Sequence, residues 1–234
     1  MNRVRISIVI PVYNESQNLS QLFDVLDVFK DQCEIIFVDG GSQDSTLDRI
    51  NQRGYAGIVS KEKGRANQMN EGAVTVTGGV LWFLHGDSIP PTTALHQIEE
   101  VLAKGHQIGC FGIRFASRHP HMKICGFLSN LRVKLRNIAF GDQGIFIQRP
   151  LFEALSGYAS LPLMEDYQLS MDVKKRGLKI GMTKGKITTS ERRFVANGRL
   201  RTMWMMQVLQ HKFRRGKDIE EIAQIYETMR KRSG

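Results

Sequence analysis

Apolar residues along the first hundred positions alternate between two spacings. Ile6–Pro11 is a continuous β-branched run, and Glu34–Val38, Ala56–Ser60 and Val80–Leu84 repeat it, the third most weakly. Between the first two, Leu19, Leu22, Phe23, Leu26 and Phe29 fall at helical spacing, with Ser16 or Asn18 placed to cap the start. A shorter helix from Ser45 carries Asp48 three residues on, as in a capping box, and Gly64–Val74 reads as a helix of small residues. Continuous apolar strands separated by helices predict an α/β protein with a mostly parallel central sheet and helices on both faces. Beyond Pro90-Pro91 the pattern predicts a helix over Thr92–Lys104, a strand over Ile108–Phe115 and a basic amphipathic helix over Met122–Ala139. A turn entering a strand follows at 141–149, then a helix over Glu165–Arg176. Two tail helices are expected at Gly198–Arg215 and Asp218–Arg232. With no repeat, linker or second core, the expectation is one domain over residues 1–195 with a basic helical extension over 196–234.

Composition changes this picture little. At 234 residues with 41% hydrophobic and 24% charged positions, the chain is long enough to bury a sizeable core and is not of disordered type. Cys33, Cys110 and Cys125 are widely spaced in apolar contexts, which predicts buried reduced thiols and a cytoplasmic setting. The basic-then-apolar start lacks a small-residue cleavage site and is expected to be a first strand, not a signal peptide. No apolar run reaches the roughly 18–20 residues needed to cross a bilayer.

Charge changes it more. Residues 1–170 carry 16 Lys and Arg against 17 Asp and Glu, whereas residues 171–234 carry 17 against 6. The whole excess of +10 therefore lies in the last quarter, as for a surface that meets an anionic partner. The Gly198–Arg215 segment is apolar over a wide arc flanked by arginines. Packing on its own domain, contact with a second copy in a homodimer, and contact with the inner face of an anionic membrane all remain open for it.

In a parallel sheet, ligands bind outside the carboxyl ends of the strands. Three predicted strands end in polar clusters: Tyr13-Asn14-Glu15, Asp39 to Asp44, and His85-Gly86-Asp87. Asp87 at a strand mouth suits an oxygen-ligated divalent ion whose shell substrate oxygens would complete; its alternative is a turn or helix-cap role before Pro90. Asp39, ahead of Gly40-Gly41, is placed to accept hydrogen bonds from a planar base or ribose, while Asp44 suits a helix N-cap. Glu165-Asp166 offers a general base, or simply acids that complement a helix dipole. Dinucleotide, P-loop, zincin and nucleophile-elbow motifs are absent from the sequence.

Taken in order, "SIVIPVYNE" (7–15), "IIFVDGGSQDST" (35–46), "KGRANQMNEGA" (63–73), "LWFLHGDSIPP" (81–91) and "PLMEDYQLSMDVKKRG" (162–177) resemble a family 2 glycosyltransferase of the GT-A fold. "FGDQGIFIQR" (140–149) and "TSERRF" (189–194) resemble segments of a small, non-processive branch, so the likeness covers about the first 195 residues. The resemblance implies an inverting transferase that takes a nucleotide-diphosphate sugar with Mn²⁺ or Mg²⁺. It implies that Pro11, Tyr13, Glu15 and Asp39 lie against the nucleoside and that Lys63, Gly64 and Arg65 contact base or ribose. His85, Gly86 and Asp87 would stand at the metal-binding DxD, with His85 where the first Asp belongs; imidazole suits Mn²⁺ better than Mg²⁺. Asp166 would be the base of the Glu165-Asp166 pair, Gly141, Asp142 and Gln143 would meet the acceptor, and Arg192 and Arg193 the departing diphosphate.

The resemblance implies single addition, since the QxxRW motif of processive synthases is absent, to a hydroxyl acceptor of unknown kind, a lipid-linked one included. Two other readings stay open: nucleotidyl chemistry on the same fold, and a non-catalytic protein that binds anions through its tail. Nucleic acid is disfavoured as the partner, because the tail has no aromatic-interleaved platform.

Overall fold

A computed structural model describes residues 5–231 of the chain, apart from the side chains of Arg192, Arg193 and 229–231. The strands are β1 (Ile6–Val12), β2 (Glu34–Asp39), β3 (Ala56–Val59), β4 (Val80–Phe83), β5 (Ser88–Ile89), β6 (Ile108–Phe115), β7 (Phe146–Gln148) and β8 (Gly181–Thr189). They form one sheet in the order β3-β2-β1-β4-β7-β6-β8-β5. The half built from β3, β2, β1 and β4 is parallel throughout, as expected. Beyond β4 the sheet is mixed: β7 runs antiparallel to both β4 and β6, β6 and β8 are parallel, and β5 closes the edge antiparallel to β8.

Helices cover both faces. On one side α1 (Leu19–Leu26) and α4 (Ala94–Ala103) pack Leu19, Leu22, Phe23, Leu26 and Ile98 against Ile8 and Ile10 of β1 and Trp82 of β4. On the other, α3 (Arg65–Thr75) and α7 (Glu165–Lys175) pack Ala66, Met69, Leu169 and Val173 against Val9, Val38, Leu81 and Phe83. Each strand thus sends alternate residues into two cores, which is why its apolar run is continuous rather than alternating. The small residues of α3 serve close approach: a Cβ on Gly72 would stand 2.4 Å from Val9 Cγ1.

The remaining helices are α2 (Thr46–Gln52), α5 (Pro120–Arg136), α6 (Arg149–Ala154), α8 (Arg192–Asn197), α9 (Arg199–Arg214) and α10 (Ile219–Lys231); the expected end of the last at Arg232 lies outside the described residues. The capping box at Ser45 does not form. Asp44 caps α2 instead, its Oδ1 accepting the Thr46 N–H at 3.0 Å and the Thr46 hydroxyl at 2.5 Å. The C-terminal helices pack on the domain through a third, smaller core in which Leu209 of α9 and Ile222 of α10 meet Ile138, Met164 and Tyr167. All three cysteines are unpaired, and burial pushes their thiols up, Cys33 and Cys110 to about 12 and Cys125 to about 11. They are therefore protonated and unreactive near neutral pH.

Candidate active site

Register places the three polar clusters side by side. Val12 pairs with Asp39 across β1 and β2, and Val9 with Phe83 across β1 and β4, so the three chains leave the sheet at the same edge. There the loops are tied together. Asn14 takes a left-handed backbone, φ 53°, which its short amide side chain tolerates. Its N–H donates to Ser42 Oγ at 2.8 Å, and its Oδ1 accepts the Gln43 N–H at 2.8 Å. The Glu15 N–H donates to Thr46 Oγ1 at 2.9 Å, and Glu15 Oε2 accepts from Asn18 Nδ2 at 2.7 Å. Asp39 is almost fully buried, and its Oδ1 accepts the N–H groups of Gly41 (3.1 Å) and Ser42 (2.9 Å) and the Ser42 hydroxyl (2.7 Å). Pro11 is buried below this rim, whereas Tyr13 is 44% exposed on it.

Gln68, on α3, holds the strand ends from beneath. Its Nε2 donates to the Val12 carbonyl at 2.9 Å and the Val38 carbonyl at 2.7 Å, bridging β1 to β2 just under Gly40. At the N-terminus of the same helix, Lys63 and Gly64 are exposed, and Arg65 reaches Glu165 Oε1 at 3.7 Å. Arg65 is also within electrostatic reach of Asp166, Asp87 and Tyr226 of α10. Two clamps fix α3 to the loop that leads into α7: Asn70 exchanges both hydrogen bonds with the Tyr158 backbone at 2.8 Å, and Ser160 Oγ donates to Asn67 Oδ1 at 2.9 Å.

The strand-end histidine, the 141–143 turn and the acidic pair converge. Gly141 opens a single 3₁₀ turn, and a Cβ there would lie 2.4 Å from His85 Nε2, so only glycine lets the imidazole and this turn meet. The Gly141 N–H points the other way and donates to Asp166 Oδ2 at 2.7 Å, while Asp166 Oδ1 accepts the Tyr167 N–H at 2.6 Å. A second tie holds the same segments, with Ser170 Oγ on α7 bonded to both the N–H and the carbonyl of Ala139 at 3.1 Å. Met164, immediately before the pair, is buried in a left-handed conformation, φ 67°, which is strained for its side chain and is held by the packing around it. Removal from water is the largest influence on both carboxyls. It raises Glu165 to about 7, helped by the neighbouring Asp166 and opposed by Arg65. It raises Asp166 as well, against the N–H of Gly141 and the charges of Arg65 and Arg132. Burial that holds both carboxyls above the ordinary carboxylate range favours their protonated forms, unlike the exposed acids of a plain helix cap.

Other expected residues are placed differently. Gln143 is fully buried, its Oε1 accepting from Arg132 Nη2 at 2.8 Å and the Phe140 N–H at 3.2 Å. Its Nε2 points to the Phe111 carbonyl at 3.3 Å, so the expected acceptor contact is out of reach of this side chain. Of that trio, Gly141 is spent on Asp166 and Asp142 is half-buried beside it. Arg192 and Arg193 open α8, but their side chains lie outside the described residues. Arg132 was read from the sequence only as one charge of a basic helix. It stacks on the Phe140 ring, 3.8 Å to the centroid, and donates to the Ile138 carbonyl at 3.2 Å, bracing the 138–143 segment. A cavity of about 690 Å³ opens on the other side of Asp87, lined by Gln17, Asn18, Ile89, Thr189 and Glu191.

Among the described residues no group of three or more His, Cys, Asp or Glu side chains is arranged to hold a metal ion. The donor set at the strand end is Asp87 with His85, whose Nε2 is buried against Gly141. Such a set fits a divalent ion only if substrate oxygens supply the rest of the shell.

A parallel half-sheet continued by a mixed half, with helices on both faces, is the GT-A architecture. The chain belongs to the family whose model is described as glycosyl transferase family 2, which matches residues 7–149. Over 94 residues it is 32% identical to glycosyltransferase AglE of Haloferax volcanii, a match covering 36% of this chain and only 31% of that relative. Its fold resembles that of the mannosyltransferase PcManGT of Pyrobaculum calidifontis, solved with GDP-Man and Mn²⁺, at TM-score 0.70 and 18% identity, covering 93% of this chain and 66% of that one. Glucosyl-3-phosphoglycerate synthase of Mycobacterium tuberculosis, solved with Mn²⁺ and UDP-glucose, matches at TM-score 0.66 and 17% identity, covering 92% and 80%. The curated relatives are matched over only about a third of their own length.

Proposed function

We propose that the protein transfers a single sugar, with inversion, from a nucleotide-diphosphate sugar to an acceptor hydroxyl, and that Asp166 is the base. The observation that carries this reading is the position of Asp166. It is held by the N–H groups of Gly141 and Tyr167, half-buried, and set beside the strand end that carries His85 and Asp87.

In this reading the Asp39 loop and the Tyr13–Glu15 turn receive the nucleoside, with Lys63, Gly64 and Arg65 at its edge. Gly86 lets the diphosphate approach the backbone, and Asp87, with His85 beside it, would hold Mn²⁺ or Mg²⁺ against it. A bound ion would supply positive charge where the departing diphosphate becomes negative. Arg65 keeps Glu165 in place and adds a cation to the same region. The acceptor oxygen gives its proton to the Asp166 carboxylate and attacks the anomeric carbon from the face opposite the diphosphate. The new carbon–oxygen bond forms as the bond to phosphate breaks, and its electron pair leaves with the nucleotide diphosphate.

Asp166→Asn keeps the size of the side chain and removes its capacity to accept a proton. Release of nucleotide diphosphate in the presence of acceptor should fall about 100- to 10,000-fold, the usual contribution of a general base. Donor binding measured by calorimetry should change little. Turnover at the normal rate by this variant would remove Asp166 from the reaction.

A further inference from the structure

We infer that α5 and α9 together form a docking surface for an anionic lipid bilayer, distinct from the transfer site. The two helices touch, and each leaves an apolar stripe in water. On α5 only Met122, Gly126 and Val133 are buried, while Ile124, Phe127, Leu128 and Leu135 stand out, Phe127 65% and Leu135 74% exposed. Phe127, Leu128 and Leu135 lie three, four and eleven positions after Ile124, within a turn or on a whole number of turns, and so share a face. On α9, Leu200 and Trp204 are exposed one turn apart, Trp204 by 65%. Large apolar side chains left in water on two touching helices exceed the scattering normal for a soluble surface.

Charge decides what covers them. Residues 101–141, which contain α5, include no Asp or Glu, and neither do residues 192–217, which contain α9. Arg199 and Lys212 are neutralised by Glu191 (3.0 Å) and Glu221 (2.5 Å) from outside these stretches. Lys123, Lys134 and Arg136 on α5, Arg201 and Arg214 on α9, and Arg215 just past its end form no ion pair among the described residues, and all are exposed. A second copy docked by a two-fold axis would set these cations against themselves. A bilayer rich in anionic headgroups would meet them with opposite charge while its acyl boundary took up Phe127, Leu128 and Trp204. No described helix is long and apolar enough to cross a membrane, so the surface lies on the bilayer. The opposite side of α9 faces the site: Phe213 packs edge-on against Tyr167, 5.5 Å between centroids, next to Asp166.

The test uses the whole chain and vesicles of equal parts phosphatidylglycerol and phosphatidylcholine. The protein should co-sediment with them at low salt, be released as salt rises, and ignore pure phosphatidylcholine. Of the two tryptophans Trp82 is fully buried, so a blue shift of emission on vesicle addition, quenched by lipids brominated along the acyl chain, reports Trp204 and needs no variant. Phe127→Ser with Trp204→Ser, both at exposed positions, should weaken vesicle binding at least tenfold without changing nucleotide binding. Absence of sedimentation at low salt, equal binding to neutral vesicles, or an unmoved emission spectrum overturns the proposal. A dimer that the double variant dissociates would overturn it too, assigning the face to a second copy.

Discussion

At the scale of single residues, the proposed chemistry rests on how Glu165 and Asp166 are treated differently by nearly the same surroundings. Glu165 is turned toward Arg65 and is almost fully buried; Asp166 is turned toward the Gly141 N–H and the strand end. Because their carboxyls bind protons more tightly folded than unfolded, the native state should lose stability as pH rises from the ordinary carboxylate range through about 7. Transfer should do the opposite and rise with pH as Asp166 becomes able to accept a proton. Glu165→Gln removes the neighbouring negative charge, so the rising limb of the pH–rate profile should move to lower pH and the fall in melting temperature between pH 5 and pH 8 should shrink. A limb that stays in place would mean that the pair does not share its protons. Much of this set was legible from residue type and order, since Asp39, Asp87 and Asp166 stand in recognisable blocks. Gln68 and Arg132 were not, and Gln143 was expected at the acceptor rather than in the interior. An amide or guanidinium that braces the backbone inside the fold has the same letter as one in solvent, and no periodicity marks it.

At the scale of elements, the site is an agreement between pieces that are far apart in the chain. Residues 139–143 lie 25 or more positions from their partners on α7 and from His85, and a glycine is what lets them touch. Gly141→Ala would drive a Cβ into the His85 ring, so either the imidazole or the turn must move, and the N–H that orients Asp166 moves with it. Overpacking of this kind typically costs about 1–3 kcal/mol. Transfer should fall more than tenfold, while nucleotide binding at the Asp39 loop, on the far side of β1, should be kept; an active Gly141→Ala enzyme would show that this contact does not align the base. The parallel half of the sheet was legible because each of its strands is an apolar run bounded by helical spacing. In the mixed half β6 and β7 were legible too, but β8 was not: Gly181–Thr189 holds two glycines and two lysines, and it is a strand because β6 supplies its hydrogen-bond partners. The two residues of β5 are strand for the same reason.

At the scale of the whole molecule, the uneven charge and the third core give the C-terminal helices two faces. Their inner face is spent on Met164 and Tyr167 around the acidic pair, and this was open in the sequence because a wide apolar arc does not say which part of it is covered. The proposed donor site, where β1, β2 and β4 end, can be tested without knowing the acceptor. The direct measurement is thermal unfolding with UDP, GDP and CMP, each with and without Mn²⁺, beside Asp87→Ala. A nucleotide at 100 times its dissociation constant adds about 2.7 kcal/mol, or roughly 5–10 °C for a chain of this length. One nucleotide should raise the melting temperature by that amount in the presence of Mn²⁺, and the rise should be lost in Asp87→Ala. Unchanged melting with every nucleotide would contradict a donor site at these strand ends.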